Sequence, residues 1–302
     1  MKLVGTEFIR SLNVEVTTVC NAYCKFCPRR YLERVAEIPK LFFDINKIDE
    51  LEIDKLVNLK KIVLCGSYGE PVLHPNLFRL LEKLHEKKPE ATIYIHTNGA
   101  VHSASWWVKL ADVLTNINHY VVFGLDGITK EVHEKYRKTN FENLTRNIQA
   151  FTDAGGNARI QFFIFKHNED QSKKFKYFAA SLGCHDVQLR YSRRYDSKLE
   201  KPQQCEDLES DMNYVEAKGR RYCFTKNGEL FIDTQGQIFI CCYDYGKYFA
   251  KKAKGEEIKK FEEPEISFDN IPKSVKYHVL IEKMDICKKC IGYKTSYVNE
   301  KR

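Results

Sequence analysis

Cys20, Cys24 and Cys27 form a C-x3-C-x2-C triplet directly after an apolar run at 12–19 that reads as a strand. Three thiolates at this spacing can hold three corners of an iron–sulfur cube and leave the fourth iron without a protein ligand. An open iron can bind and reduce a small molecule, where a closed cluster only passes electrons. A zinc site would need a fourth nearby Cys or His, and none follows before Cys65 and His74.

The elements that must carry this triplet are legible as alternating strands and helices. Strand candidates lie at 12–19, 61–65, 92–96, 120–125, 159–165 and 187–191. They are short and nearly continuous in hydrophobicity, the pattern of strands covered on both faces. Between them run helical stripes: Leu77, Leu80, Leu81 and Leu84; Trp106, Leu110, Val113 and Leu114; Phe141, Leu144, Ile148 and Phe151; Phe175, Phe178, Ala179 and Leu182. Such alternation predicts an α/β fold with a parallel sheet, either doubly wound or a partial barrel.

Polar residues after each strand favour the barrel. The triplet follows the first strand and Gly66-Ser67-Tyr68-Gly69-Glu70-Pro71 the second. Thr97-Asn98-Gly99, Asp126-Gly127, His167-Asn168 and Arg193-Arg194 follow the other four. In parallel α/β barrels active sites gather where the C-terminal strand ends converge. A doubly wound sheet would concentrate its ligands at one switch point.

Composition sets looser limits. A chain of 302 residues with 43% hydrophobic content can bury a large core, and eleven cysteines are many for an ordinary enzyme. The cysteine number is odd and charges interrupt MKLVGTEFIRSLNVEV before a signal-peptide core could form, against a secreted disulfide scaffold. No apolar run is long enough for a membrane span, so a cytoplasmic protein without a membrane partner is expected. The net charge of +8 permits an anionic substrate or nucleic acid without arguing for one. Cys65 and Cys184 lie in or beside apolar stretches and read as core thiols.

The triplet with Phe26 before its last cysteine resembles the signature of radical S-adenosylmethionine enzymes. So do Gly69-Glu70-Pro71 after the second strand and the stretch from Phe123-Gly124-Leu125-Asp126-Gly127 to His133 and Arg137. The resemblance covers residues 10 to 200 and implies a six-stranded partial (β/α)6 TIM-like barrel. Its 4Fe–4S cluster would be held by Cys20, Cys24 and Cys27, with S-adenosyl-L-methionine chelated at the open iron. It further implies that Gly69 admits the methionine part and Glu70 meets its ammonium. Arg137 would pair with its carboxylate, Phe26 would lie against the adenine, and Asn98 and Asp126 would reach ribose hydroxyls. Two departures stand out: Gly124 where relatives often carry serine, and Tyr68 in place of the first glycine of Gly-Gly-Glu-Pro.

Beyond residue 200 the composition changes, and 201–302 reads as a linker and a small α+β cluster-binding unit. A hairpin is expected from 229–233 and 237–241 around Thr234-Gln235-Gly236, then a solvated stretch from 251 to 263 and a helix near 274–284. Cys223, Cys241, Cys287 and Cys290 could close a four-thiolate site, zinc or iron–sulfur on chemistry alone. The spacing from Cys223 through Gly236 to Cys241 and the final C-x2-C resemble the Twitch domain, a shortened SPASM domain, which implies a second 4Fe–4S auxiliary cluster. Neighbouring strand residues face opposite ways, so Cys241 and not Cys242 is expected to ligate.

The whole reads as a two-cluster radical oxidoreductase or maturase-like enzyme. A 5′-deoxyadenosyl radical would abstract hydrogen from a peptide or protein substrate, with a small carbohydrate or nucleotide as the alternative. Flavodoxin or ferredoxin would serve as reductant. A zinc-bearing nucleic-acid-binding module is the non-enzyme reading, for which Arg190 to Arg194 and Arg220-Arg221-Tyr222 offer only fragments of a basic aromatic surface. Nucleic acid is therefore not an expected partner.

Overall fold

In a computed structural model, which describes residues 8–191, 196–202, 228–239 and 241–255, one mixed sheet organises the chain. Its strands are β1 (Ser11–Val14), β2 (Lys61–Leu64), β3 (Thr92–Thr97), β4 (His119–Gly124), β5 (Ala158–Ile164), β6 (Asp186–Tyr191), β7 (Glu229–Ile232) and β8 (Ile238–Phe239). They lie in the order β6-β5-β4-β3-β2-β1-β7-β8. From β1 to β6 every neighbour pair is parallel and sequential. Across β1 to β6 the order does not reverse, and all six loops leave from the same edge.

The sheet holds eight strands among the described residues, not the six expected. β7 pairs parallel with β1, with Val14 opposite Ile232, and β8 folds back antiparallel on β7. The hairpin forms as expected but lies on the free edge of β1, which an unpaired row of backbone groups would otherwise leave open. β8 stops at Phe239, short of the expected 241. Cys241 is instead the N-cap of a helix, α8 (Cys242–Ala253). Tyr245, Tyr248 and Phe249 give α8 an apolar stripe that packs on Tyr68, Phe231 and Phe239. The two adjacent cysteines therefore straddle a strand-to-helix turn. Cys241 packs against the main core and Cys242 against the α8 cluster.

The main core fills one face of the sheet. Leu12 and Val14, Ile62 and Leu64, Ile93 and Ile95, Val121 and Phe123, Ile160 and Phe162, and Leu189 all point into it. Against them lie α3 (Leu77–Lys87), α4 (Ala104–Leu114), α6 (Phe141–Asp153) and α7 (Ser172–Ser181). On α4 the buried stripe is Trp107, Leu110, Ala111 and Leu114. Trp106 is only half-buried and stacks on Phe78 and His102, one step round the helix from the expected position.

The opposite, inner face departs from the expectation of strands covered on both sides. β3 and β5 alternate fully buried with half-buried residues along their length. The half-buried set includes Lys61, Tyr94, His96, Tyr120, Arg159, Gln161 and Gln188. Among the described residues this face is only partly covered.

Candidate active site

The cysteine loop is closed at its base by a short ladder. Phe43 donates its N–H to Val16 O at 2.8 Å, Thr18 donates its N–H to Leu41 O at 3.0 Å, and the Thr17 hydroxyl donates to Leu41 O at 2.9 Å. Cys27 caps α1 (Pro28–Leu32), whose Pro28 suits the first helical turn. Arg29 on α1 donates to the carbonyls of Thr18 and Tyr68, tying the loop to β1 and to the segment after β2. The three thiols sit close enough to feel one another's charge, and all are half-buried. Burial, then the Glu70 carboxylate, pushes Cys20 up to about 12; burial also raises Cys24 and Cys27. Thiols so placed ionise when a bound metal supplies the opposing charge. Among the described residues no three His, Cys, Asp or Glu side chains converge on one point as ligands of a single ion would. Ligands of three separate irons need not converge.

Glu15 governs the loop after β2, and the sequence reading did not single it out. It extends β1 by one residue onto the inner face, and its fully buried carboxylate accepts the N–H groups of Ser67 (2.7 Å), Tyr68 (3.2 Å) and Gly69 (3.0 Å). Burial pushes Glu15 up to about 7, against the pull of those three amides. A Cβ on Gly69 would lie 1.7 Å from Thr17 O, so only glycine lets this loop press on the end of β1. Tyr68 also has a role: its hydroxyl donates to Gly246 O at 3.2 Å and its ring packs on Phe249 at 4.5 Å, bracing α8.

Glu70 follows, with its N–H held by Val19 O at 2.7 Å beside the cysteine loop. Its carboxylate accepts the Asn98 N–H at 2.7 Å and the Asn98 side-chain amide. That amide also donates to Asn21 Oδ1 at 2.9 Å, joining the loops after β1, β2 and β3. Burial pushes Glu70 up to about 7, a position in which a cationic ligand would favour the ionised form. Asn147 on α6, fully buried, donates to the carbonyls of Gly99 (2.9 Å) and Val101 (3.0 Å) and fixes the loop after β3.

Asp126 and Arg137 form a buried ion pair through Arg137 Nε. Burial is the largest single influence and works against the Arg137 charge, but Asp126, Cys24 and Tyr136 together outweigh it and raise the group. The other Asp126 oxygen accepts the Phe163 N–H at 2.5 Å. Both oxygens are thus taken, and Asp126 orients Arg137 instead of reaching outward. Gly124 explains itself here, because a Cβ would lie 2.7 Å from the guanidinium carbon. The Arg137 carbonyl receives Cys24 Sγ at 3.3 Å, placing the arginine against the cysteine loop. His133, on α5 (Lys130–Tyr136), accepts the Asp126 N–H on Nδ1 at 3.2 Å, so its proton lies on Nε2, 2.9 Å from Thr139 Oγ1. Asn168 is fully buried and donates to Asp126 O and Phe163 O, both at 2.9 Å.

Phe26 is buried beside Phe165 and Leu199, with Tyr136 and Phe163 at the edge. Phe26, Glu70, Asn98, Asp126, Arg137 and the cysteine triplet are therefore brought to one rim of the sheet. Cys184 is a core thiol as expected, donating to Ala158 O at 3.2 Å. Cys65 is not: it is half-buried on the inner face. Cys223, Cys287 and Cys290, with Arg193 and Arg194, lie outside the described residues.

The GTP 3′,8-cyclase of Helicobacter pylori is 26% identical over 190 residues, 60% of this chain, and the chain spans about half (54%) of that relative's length. The fold is similar to that of SuiB from Streptococcus suis, solved with its precursor peptide SuiA, at a TM-score of 0.63 and 14% identity, covering 96% of this chain and 71% of that one. It is also similar to anSMEcpe with bound AdoMet, TM-score 0.60 and 14% identity, covering 94% and 87%. The Radical SAM superfamily model matches residues 14–176, more than half of the chain. The chain belongs to the radical SAM superfamily.

Proposed function

We propose that this enzyme abstracts a hydrogen atom from a small polar substrate seated on the inner face of the sheet. The supporting observation is the single rim where the cysteine triplet, Glu70 and the Asp126–Arg137 pair meet above a face that carries half-buried polar side chains. Cys20, Cys24 and Cys27 would hold a 4Fe–4S cluster, which when bound and reduced would supply the one electron that cleaves S-adenosylmethionine to methionine and a 5′-deoxyadenosyl radical. Glu70 holds the methionine ammonium and Arg137 its carboxylate, with a planar fork matched to that group. Gly69 gives that ligand room at the loop, Asn98 positions the Glu70 carboxylate, and Phe26 walls the adenine side. Asp126 keeps Arg137 aimed, and the aromatic cluster around Phe26 keeps water away.

Cys241, with Cys223, Cys287 and Cys290, would hold an auxiliary 4Fe–4S cluster, which would supply a site for the electron left on the substrate. The inner-face chemistry favours a small polar substrate over a peptide. The GTP 3′,8-cyclase relative acts on a nucleotide, whereas SuiB is bound to a peptide. Anaerobically reconstituted protein given reductant and S-adenosylmethionine is expected to form 5′-deoxyadenosine, and Cys24→Ala to form none while remaining folded. Undiminished product from Cys24→Ala would reject the proposal.

A further inference from the structure

Across the inner face runs a row of side chains at the end of the strands remote from the cysteines. Lys61 Nζ lies 4.8 Å from the Tyr94 ring centroid, and Tyr94 stacks on Tyr120 at 5.2 Å. The Arg159 guanidinium lies 4.3 Å from the Tyr120 ring and 5.8 Å from the Tyr94 ring. Two cations thus approach the Tyr94 ring, Lys61 from β2 and Arg159 from β5. Arg159 gives Nε and Nη2 to Asp186 Oδ2, each at 2.5 Å, and its Nη1 has no partner among the described residues. Lys61 has no carboxylate partner among them. Arg190, on the same face of β6, donates to Gln188 Oε1 at 3.1 Å.

Among the described residues the acids facing Lys61 and Arg159 do not balance them. Asp186 serves Arg159, Glu229 accepts from Asn13 at 3.3 Å, and Glu15 is held by three loop amides. Lys61, Arg159 and Arg190 also hold the inner-face His96 in its neutral form, adding to the effect of burial. A half-buried lysine without a counter-anion is costly, and an aromatic face offsets only part of that cost. Keeping two cations on a concave face makes sense where an anion arrives with the ligand. A carboxylate carries one charge. A phosphate monoester carries close to two at neutral pH, with three oxygens for a lysine point charge and an arginine edge.

We propose that Lys61 and Arg159 form a phosphate subsite at the floor of the partial barrel, holding a phosphate group of a small-molecule substrate over Tyr94 and Tyr120. The proposal rests on the reading that substrate occupies the inner face. It also sets the substrate's length. Arg159 and Phe163 are four residues apart on β5, a rise of roughly 13 Å. Phe163 lies at the rim, 5.7 Å from the Arg137 guanidinium. The reacting carbon would then lie on the order of 10 Å from the phosphate, the reach of a nucleotide or a phosphorylated sugar derivative.

The test is calorimetric titration of inorganic pyrophosphate into anaerobically reconstituted full-length protein. Saturable binding is expected, weakened at least tenfold in Lys61→Met, which keeps an apolar stem over Tyr94. Thermal melting and iron content show whether the variant is intact, and Arg159→Lys serves as a second variant with a similar expected loss. Lys83→Met is the control for general basicity, because Lys83 pairs with exposed Asp49 at 2.6 Å and should bind pyrophosphate like the parent. Absence of saturable binding, equal binding by Lys61→Met, or equal loss in Lys83→Met would overturn the subsite. Malonate binding as tightly as pyrophosphate would overturn the choice of phosphate. 5′-Deoxyadenosine formed by the same parent preparation reads the radical proposal separately, so either can fail alone.

Discussion

Gln161 and Phe162 are neighbours on β5, yet they belong to different parts of the molecule. Phe162 points to the helices, fully buried, with Phe175 at 4.2 Å. Gln161 points the other way, half-buried on the polar inner face. The same division runs along β3 and β5, while on β2 and β4 the inner face also buries Val63 and Val122. One face is an aliphatic and aromatic core that holds the sheet together. The other carries the half-buried Tyr94, His96, Arg159 and Gln188. The loops at the rim belong to neither: buried polar groups, Glu15, Asn147 and Asn168, pin them by their backbone. Stability and chemistry are thus separated by one residue's step along a strand.

The sharpest way to break this division is to truncate both neighbours. Phe162→Ala should destabilise by ~3–5 kcal/mol, since it leaves a cavity beside Phe175 in a closed core. Gln161→Ala should cost less than ~1 kcal/mol. Denaturant unfolding of the two variants reads the contrast directly, and equal losses would mean that the inner face is also a packed core.

A smaller effect is expected where the rim is pinned. Glu15→Gln keeps the shape but turns an amide NH2 toward backbone N–H groups that need an acceptor. The expected cost is about 1–3 kcal/mol in stability. Weaker S-adenosylmethionine binding should accompany it, because Gly69 and Glu70 lose their support. Unchanged affinity by anaerobic titration would show that the loop holds its form without Glu15.

The smallest effect concerns pH. Burial, aided by Arg137, depresses His133 to about 3 from 6.5, so the folded state holds it neutral while the unfolded chain takes a proton below 6.5. This contribution to stability is present above 6.5 and lost as pH falls toward 3. His133→Asn, which cannot titrate there, should show a shallower fall in unfolding free energy across that range. Parallel curves for the two proteins would contradict the assignment.

Much of the fold was legible because local pattern carries it. The six sequential strands and most helical stripes follow from runs of Val, Ile, Leu and Phe whose partners are close in sequence. The cysteine triplet and Gly69-Glu70-Pro71 were legible because chemistry demands those types at that spacing. What escaped depends on distant partners. Nothing near Glu15 marks it as the acceptor for amides some fifty residues on. Trp106 and Trp107 are adjacent, and only the tertiary position of α4 decides which is buried. The docking of β7 on β1 joins segments over two hundred residues apart. The start of α8 was hidden because Ile238 and Phe239 continue naturally into a longer apolar run.

The most direct test of the central claim is electron paramagnetic resonance of the anaerobically reconstituted, reduced protein with and without S-adenosylmethionine. If Cys20, Cys24 and Cys27 hold a cluster with one open iron, adding the ligand changes that cluster's signal, and the change disappears in Cys24→Ala. A reduced iron–sulfur signal unaltered by S-adenosylmethionine would contradict the claim.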